Sequence, residues 1–448
     1  MTQQQMKILG HRIINNPHAL ASQIGYGKYV SLKRKACLEC WVQVSGVAGL
    51  STTSNIALAS VTYDILMDHK SIVNGPQPLF VYSSDPGQPL TFTSKYEGFH
   101  ALSSKKKEEV TIEVRIYNYS QASPLDTIGQ SIILNFLTMC IVGPKEGSSK
   151  PLQLFDFHAT QQDSASSDPD FIIPSAGSRS IHLPVQVQTP GNVLLDLSVG
   201  FRNDTTIQLG IQPSLVFDVQ RDGKSIIRGF QPWYEFIVST LTGNFVTSQP
   251  FQMVDRNVPK GDHVYTLIIQ NQTLDADDNS YQIKVQLFNF LATVPCNKSS
   301  SWSPSLSVMP IFPLIDLIVP VNLTAEKVYR WDLCVPRNVH SVKLEVAISV
   351  LQFSRGAFGF QLDLLRDNQS IRKWHGPQNF ITWTNATLIS LPTSSLVFPV
   401  VFLDYPSDSC TKKENYIYTV EIREIQGTQT VAFPYLNWIY ASALTFNR

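Results

Sequence analysis

The sequence predicts an all-β chain of three tandem jelly-roll (β-sandwich) domains, and three observations carry that expectation. A ten-residue stretch occurs three times along the chain. Short runs of alternating apolar and polar residues recur at regular spacing with turn residues between them, while helical periodicity is scarce. The length of 448 residues exceeds one ordinary core and suits about three domains of roughly 150 residues.

The repeated stretch begins Tyr63-Asp64-Ile65, Phe217-Asp218-Val219 and Leu362-Asp363-Leu364, and each copy places a second aspartate four residues later, at Asp68, Asp222 and Asp367. Side chains alternate along a strand, so the residues flanking Asp64, Asp218 and Asp363 share one apolar face. The three aspartates are then expected to be exposed or turn-capping; a metal or sugar ligand repeated in each domain is the sharper alternative. Asp68-His69, Asp222-Gly223 and Asp367-Asn368 are pairs that tolerate left-handed backbone, so each strand should end in a tight turn. Asn135-Phe136-Leu137, Asn289-Phe290-Leu291 and Asn437-Trp438-Ile439 follow at nearly constant distance. Leu38-Glu39, Leu195-Asp196 and Leu344-Glu345 precede the repeat in the same order.

In chain order, residues 1–30 are polar with a short apolar patch around Ile8, Leu9, Ile13 and Ile14, and read either as a frayed tail or as an arm that adds a strand to a neighbouring subunit. The first jelly roll is expected over 31–143, a linker of small polar residues over 144–170, the second jelly roll over 171–296, a short linker over 297–310 and the third jelly roll over 311–448. Leu154, Phe155 and Phe157 interrupt the first linker and predict that this patch docks. Tyr234 to Leu241 is the best helical candidate.

Composition narrows the function classes. Thirty-five basic residues balance thirty-five acidic ones, which removes the long-range attraction that nucleic acid or an anionic membrane requires. Self-association is the expected partnership, since neutral surfaces do not repel. The opening residues lack the apolar core of a signal peptide and no apolar run is long enough to cross a membrane, so synthesis in the cytosol without membrane insertion is expected.

The chemistry-bearing residues form no catalytic set. Gly223-Lys224-Ser225 imitates the end of a phosphate loop, but Asp218 stands where its first glycine belongs. Asp275 to Asn279 resembles the start of a calcium loop, with Ser280 in place of the turn glycine. No metal site, cofactor or enzymatic centre is expected. Of six cysteines, Cys37 and Cys40 lack a second pair for zinc, and Cys334 with Cys410 is the candidate disulfide. Asn118 and Asn271 belong to Asn-x-Ser/Thr sequons that read as accidental in so Ser- and Thr-rich a chain.

Arg221-Asp222-Gly223-Lys224-Ser225-Ile226, followed by Val254-Asp255, Pro259, Gly261, His263 and Tyr265 at fixed spacing, resembles the jelly-roll modules of spore-surface proteins of bacilli, which are similar to tumour-necrosis-factor-like heads. The second copy carries most of the resemblance, and no collagen-like stalk is present. The resemblance implies a non-enzymatic, self-assembling component of a spore surface layer, exosporium, fibre or appendage. A carbohydrate- or receptor-binding surface module is the alternative, with Trp233, Trp374 and Trp383 as stacking platforms for a glycan.

Overall fold

The computed structural model describes residues 6–447 apart from segments lying mostly between strands, the longest being 158–171, 204–213, 273–282 and 306–327; along parts of several strands it describes the backbone alone. Every regular element among the described residues is a β-strand.

A first block opens with β1 (Met6–Ile14), β2 (His18–Leu20), β3 (Tyr26–Arg34), β4 (Cys37–Thr52) and β5 (Ile56–Met67). It continues with β6 (Lys70–Ser71), β7 (Gln77–Ser83), β8 (Thr91–Ser104), β9 (Glu108–Asn118), β10 (Gln121–Ala122) and β11 (Ile132–Pro144). The second block holds β12 (Gln153–Phe157), β13 (Ile172–Ile173), β14 (Ser178–Val187), β15 (Gly191–Asn203) and β16 (Ser214–Arg221). Its remaining strands are β17 (Lys224–Ser225), β18 (Gln231–Phe236), β19 (Phe245–Val258), β20 (Gly261–Asn271) and β21 (Ile283–Val294). The third holds β22 (Trp302–Ser305), β23 (Val328–Pro336), β24 (Val339–Gln352), β25 (Ala357–Arg366) and β26 (Gln369–Ser370), then β27 (Gln378–Thr384), β28 (Ser394–Asp404), β29 (Asn415–Gly427) and β30 (Pro434–Asn447).

One pairing order recurs in all three. In the first block one sheet runs β1-β11-β4-β8 and the other β3-β9-β5-β7. The corresponding orders are β12-β21-β15-β19 with β14-β20-β16-β18, and β22-β30-β24-β28 with β23-β29-β25-β27. This is the strand order of an eight-stranded jelly roll. The sheets do not stop at the blocks. Strand β7 pairs with β19, and β18 with β28, so two sheets are continuous from one block into the next. Strand β8 of the first block lies against β27 and β28 of the third, which brings the blocks round on one another.

Alternation builds each core. Val61, Tyr63 and Ile65 of β5 are buried against Ile112, Val114 and Ile116 of β9 and the facing sheet. Phe217 and Val219, with Tyr265 and Leu267, do the same in the second block. Each such side chain contributes about 1.5–3 kcal/mol on burial. The three turns are as expected: Asp68 and His69 have φ of 48° and 66°, Asp222 and Gly223 51° and 76°, Asp367 and Asn368 48° and 65°. Two consecutive left-handed residues give the turn the twist of the hairpin it closes.

Four segments differ from the sequence reading. Ile8, Ile13 and Ile14, expected in a tail or exchangeable arm, lie on β1, which pairs with β11 of the same chain; Leu9 sits at a register shift in that pairing. Strands β12 and β22 arise from the stretches read as linkers and make the equivalent pairing with β21 and β30. Both order because the last strand of each block offers a ladder edge, and in β12 the patch of Leu154, Phe155 and Phe157 docks as expected. Of the helical candidate Tyr234 to Leu241, residues 234–236 are instead the end of β18, where cross-strand bonding to β16 and β28 overrides a short apparent period, and the remainder lies outside the described residues.

Candidate functional site

The repeated aspartates act within the hairpins. Asp64 and Asp218 are buried rather than exposed. Each accepts a hydrogen bond from the serine seven residues on, Ser71 at 2.7 Å and Ser225 at 2.6 Å. The serine oxygen in turn accepts from the backbone N–H of Gly75 or Gly229, at 2.7 and 2.6 Å. Both glycines have positive φ, 95° and 94°. The second aspartate ties the turn to the neighbouring strand: its carboxylate accepts from the N–H of Thr111, Val264 or Ile417 at 2.8, 2.9 and 3.1 Å. Its own N–H donates to the carbonyl of the same residue in all three copies. The sequence signature is therefore a hairpin clamp, and Gly223-Lys224-Ser225 belongs to it.

The motif of the second copy is likewise engaged in structure. Asp255 accepts from Tyr265 at 2.8 Å and pairs with Arg221 at 2.5 Å. His263 bonds Asp222 at 2.7 Å and the Pro259 carbonyl at 3.0 Å. Burial opposes charge on His263, but these two acceptors and the nearby Asp222 charge raise its pKa above the ordinary 6.5. The third copy repeats the arrangement with Arg366, Asp404 and Tyr418, the last at 2.7 Å. In the first copy Met67 and Ile112 stand at the equivalent strand positions, and both are buried.

The most unusual chemistry lies where the three blocks meet. Lys95 and Glu97 flank the core residue Tyr96 on β8, Asp196 stands between Leu195 and Leu197 on β15, and Lys343 and Glu345 flank Leu344 on β24. Alternation turns these polar side chains away from the cores of their own blocks, and the other blocks cover them. All five are at most 6% exposed. The Lys95 ammonium lies 2.8 Å from Glu345, 3.6 Å from Glu97 and 3.9 Å from Asp196, so one cation faces a carboxylate from each block. Lys343 touches Glu345 as an ion pair at 2.5 Å. Gln43 of β4 donates to Glu97, and Gln252 of β19 donates to Asp196.

Burial sets the electrostatics of this junction. It opposes charge on both lysines, but the carboxylates around them outweigh it and raise both pKa values. Glu345 resists its own burial because Lys343 and Lys95 hold its carboxyl down at about 2. Asp196 is the opposite case. Burial, reinforced by the Glu97 and Glu345 charges, pushes it up to about 7 against the pull of the lysines. The Cys140 thiol, buried on β11, is pushed up to about 12 by burial, which keeps it protonated and unreactive.

Sequence reasoning found part of this site. Asp196 and Glu345 were legible in the Leu-Asp/Glu signature, but in the first block the residue paired across β4 and β8 with Glu97 is Ser45, six positions past Glu39. Lys95, Glu97, Lys343, Gln43 and Gln252 went unrecognised, because each is an ordinary polar residue in an alternating strand. Asp363 lies on β25, Asn135, Asn289 and Asn437 on the last strands, Cys334 on β23, Trp233 on β18 and Trp383 on β27; their side chains, with Cys410, Trp374 and the loop at Asp275, lie outside the described residues. Of the sequons, Asn118 and Asn271 are buried and donate to the carbonyls of Leu20 and Ile173, at 3.0 and 3.1 Å.

No protein-family model and no curated protein matches the chain. Solved structures align at low similarity. PNGF-II is 12% identical with a TM-score of 0.30, over 88% of this chain and 100% of that one. The tandem CBM22-1-CBM22-2 domain of Xyn10C from Paenibacillus barcinonensis is 8% identical with a TM-score of 0.19, over 66% and 100%. The ANXUR2 extracellular domain from Arabidopsis thaliana is 9% identical, also at 0.19, over 64% and 84%. Scores at this level carry no argument about fold, ligand or activity.

Proposed function

We propose that the chain is a non-enzymatic structural protein whose three jelly-roll domains form one pseudo-threefold unit, built into a surface layer, fibre or appendage such as that of a bacterial spore. One observation carries the reading: five buried charged residues, Lys95, Glu97, Asp196, Lys343 and Glu345, are directed at one another across the three blocks. Charge so placed fixes which block meets which, the role best attested for buried polar groups. The recurrent Asp–Ser and Asp–N–H clamps serve the same end at the hairpins.

Small-angle scattering and negative-stain imaging of the purified chain test the unit. A compact three-lobed particle supports it, and an extended string of beads overturns it. Immunogold labelling of the source cells tests the location: label on the envelope or spore surface is expected, and label confined to the cytosol overturns that part. A glycan array with a specific binder would favour the carbohydrate-binding alternative.

A further inference from the structure

We propose that the junction between the three blocks is a proton-operated latch: one proton held on Asp196 lets the blocks close, and its loss opens the seam between the first and third blocks while each stays folded. The charges come first. Three carboxylates, Glu97, Asp196 and Glu345, face two ammoniums, Lys95 and Lys343, and all are buried. That leaves one negative charge in excess in a place where an unbalanced charge is strongly disfavoured. A single proton brings the cluster to neutrality.

Geometry ranks the carboxylates by their distance from the ammoniums. Glu345 touches both lysines. Glu97 has Lys95 at 3.6 Å and the amide of Gln43. Asp196 is the most remote from Lys95, at 3.9 Å, and its hydrogen-bond donor is the neutral Gln252. The groups facing it are Lys95 and Glu97 from β8, Lys343 and Glu345 from β24 and Gln252 from β19, and the elevated pKa of Asp196, about 7, agrees with the choice. Cys140, next to Lys343 and Glu345, stays protonated throughout.

The seam is selected by backbone pairing. Strand ladders join the first block to the second through β7 and β19, and the second to the third through β18 and β28. The first and third meet through β8 against β27 and β28, and also through β4 against β28 and β1 against β30, with no strand pairing across them among the described residues. The ion pair from Lys95 to Glu345 crosses this seam.

The sign follows from linkage. An acid whose pKa is raised in the closed form stabilises that form in full below its ordinary 3.8, and the contribution is lost as pH rises through about 7. Above that point opening releases no further proton debt, so between about 4 and 7 the opening constant rises up to tenfold per pH unit and then levels off. Glu345, held at about 2, sets the opposite limit, its contribution fading only in strong acid.

The experiment is small-angle scattering and thermal melting of the full chain between about pH 5 and pH 9, with Asp196→Asn beside it. The amide stands in for the protonated acid and can still accept from Gln252. The unmodified chain should expand and melt earlier on the alkaline side, whereas Asp196→Asn should stay compact and lose most of that dependence. An unmodified chain with constant dimensions and melting temperature, or a variant with the same pH dependence, overturns the latch. Should Asp196→Asn fail to fold, infrared difference spectroscopy of the unmodified chain decides: a buried carboxylic-acid carbonyl band present near pH 6 and lost near pH 9 is expected, and its absence near pH 6 overturns the proposal. The inference rests on the three-block unit, not on its location. A compact particle insensitive to pH would remove the latch and leave the unit standing.

Discussion

Replacing Lys95 by methionine keeps the length and apolar stem of the side chain and removes only the ammonium. Three carboxylates, at 2.8, 3.6 and 3.9 Å from that nitrogen, then face Lys343 alone. At an effective dielectric of about 20, an ion pair near 4 Å is worth about 4 kcal/mol of attraction, most of it cancelled by the cost of taking the ions out of water. Removing one partner keeps the desolvation cost and forfeits the attraction, and losses of about 3–5 kcal/mol are typical. Lys95→Met should therefore lose about 4 kcal/mol in urea unfolding at neutral pH, followed by circular dichroism. The loss should shrink in acid, where the stranded carboxylates take up protons. Pairing it with Glu345→Gln completes a cycle: the double variant should be less destabilised than the sum of the singles by about 2 kcal/mol or more. A loss below about 1 kcal/mol, the range of exposed pairs, or strict additivity of the two substitutions, would refute the view that this ammonium holds the blocks together.

The hairpin clamp predicts that Asp218→Ala, which strands the donors of Ser225 and Gln220, costs about 1–3 kcal/mol; Asp218→Asn, which keeps an acceptor, should cost less by the same unfolding assay. Gly46 has no room for a side chain, since a Cβ there would lie 1.9 Å from the Thr138 carbonyl oxygen and 2.6 Å from Cζ of Tyr96. Gly46→Ala should therefore force β4 off β11 and destabilise by about 3 kcal/mol or more, and near-normal stability would contradict that packing. The His263–Asp222 pair predicts an imidazole midpoint above 6.5 in an NMR titration, falling when Asp222 is changed to Asn. The histidine's contribution is complete below 6.5 and fades as pH rises through the higher folded value, while Asp222, lowered from 3.8, loses its contribution as pH falls through the lower one.

Much of the architecture is local and could be read from the residues in order. Tyr63, Ile65, Phe217 and Val219 alternate with polar neighbours, and a period of two specifies a strand with one apolar face. Asp-His, Asp-Gly and Asp-Asn specify left-handed turns because few other pairs enter that region at low cost. What escaped was whatever depends on a distant partner. The apolar residues Leu154, Phe155 and Phe157 announce that this patch docks, but nothing in residues 153–157 says that the edge they join is β21. The same holds more sharply at the junction. Alternation assigns Lys95, Glu97, Asp196, Lys343 and Glu345 to the side of the strand opposite the core, which in an isolated sandwich is water. The tertiary arrangement alone put other blocks there, and so turned five ordinary polar residues into one buried, charge-coupled cluster. Sequence period fixes the direction in which a side chain leaves its strand; only the packing of whole sheets decides what medium it enters, and the medium determines how its charge behaves.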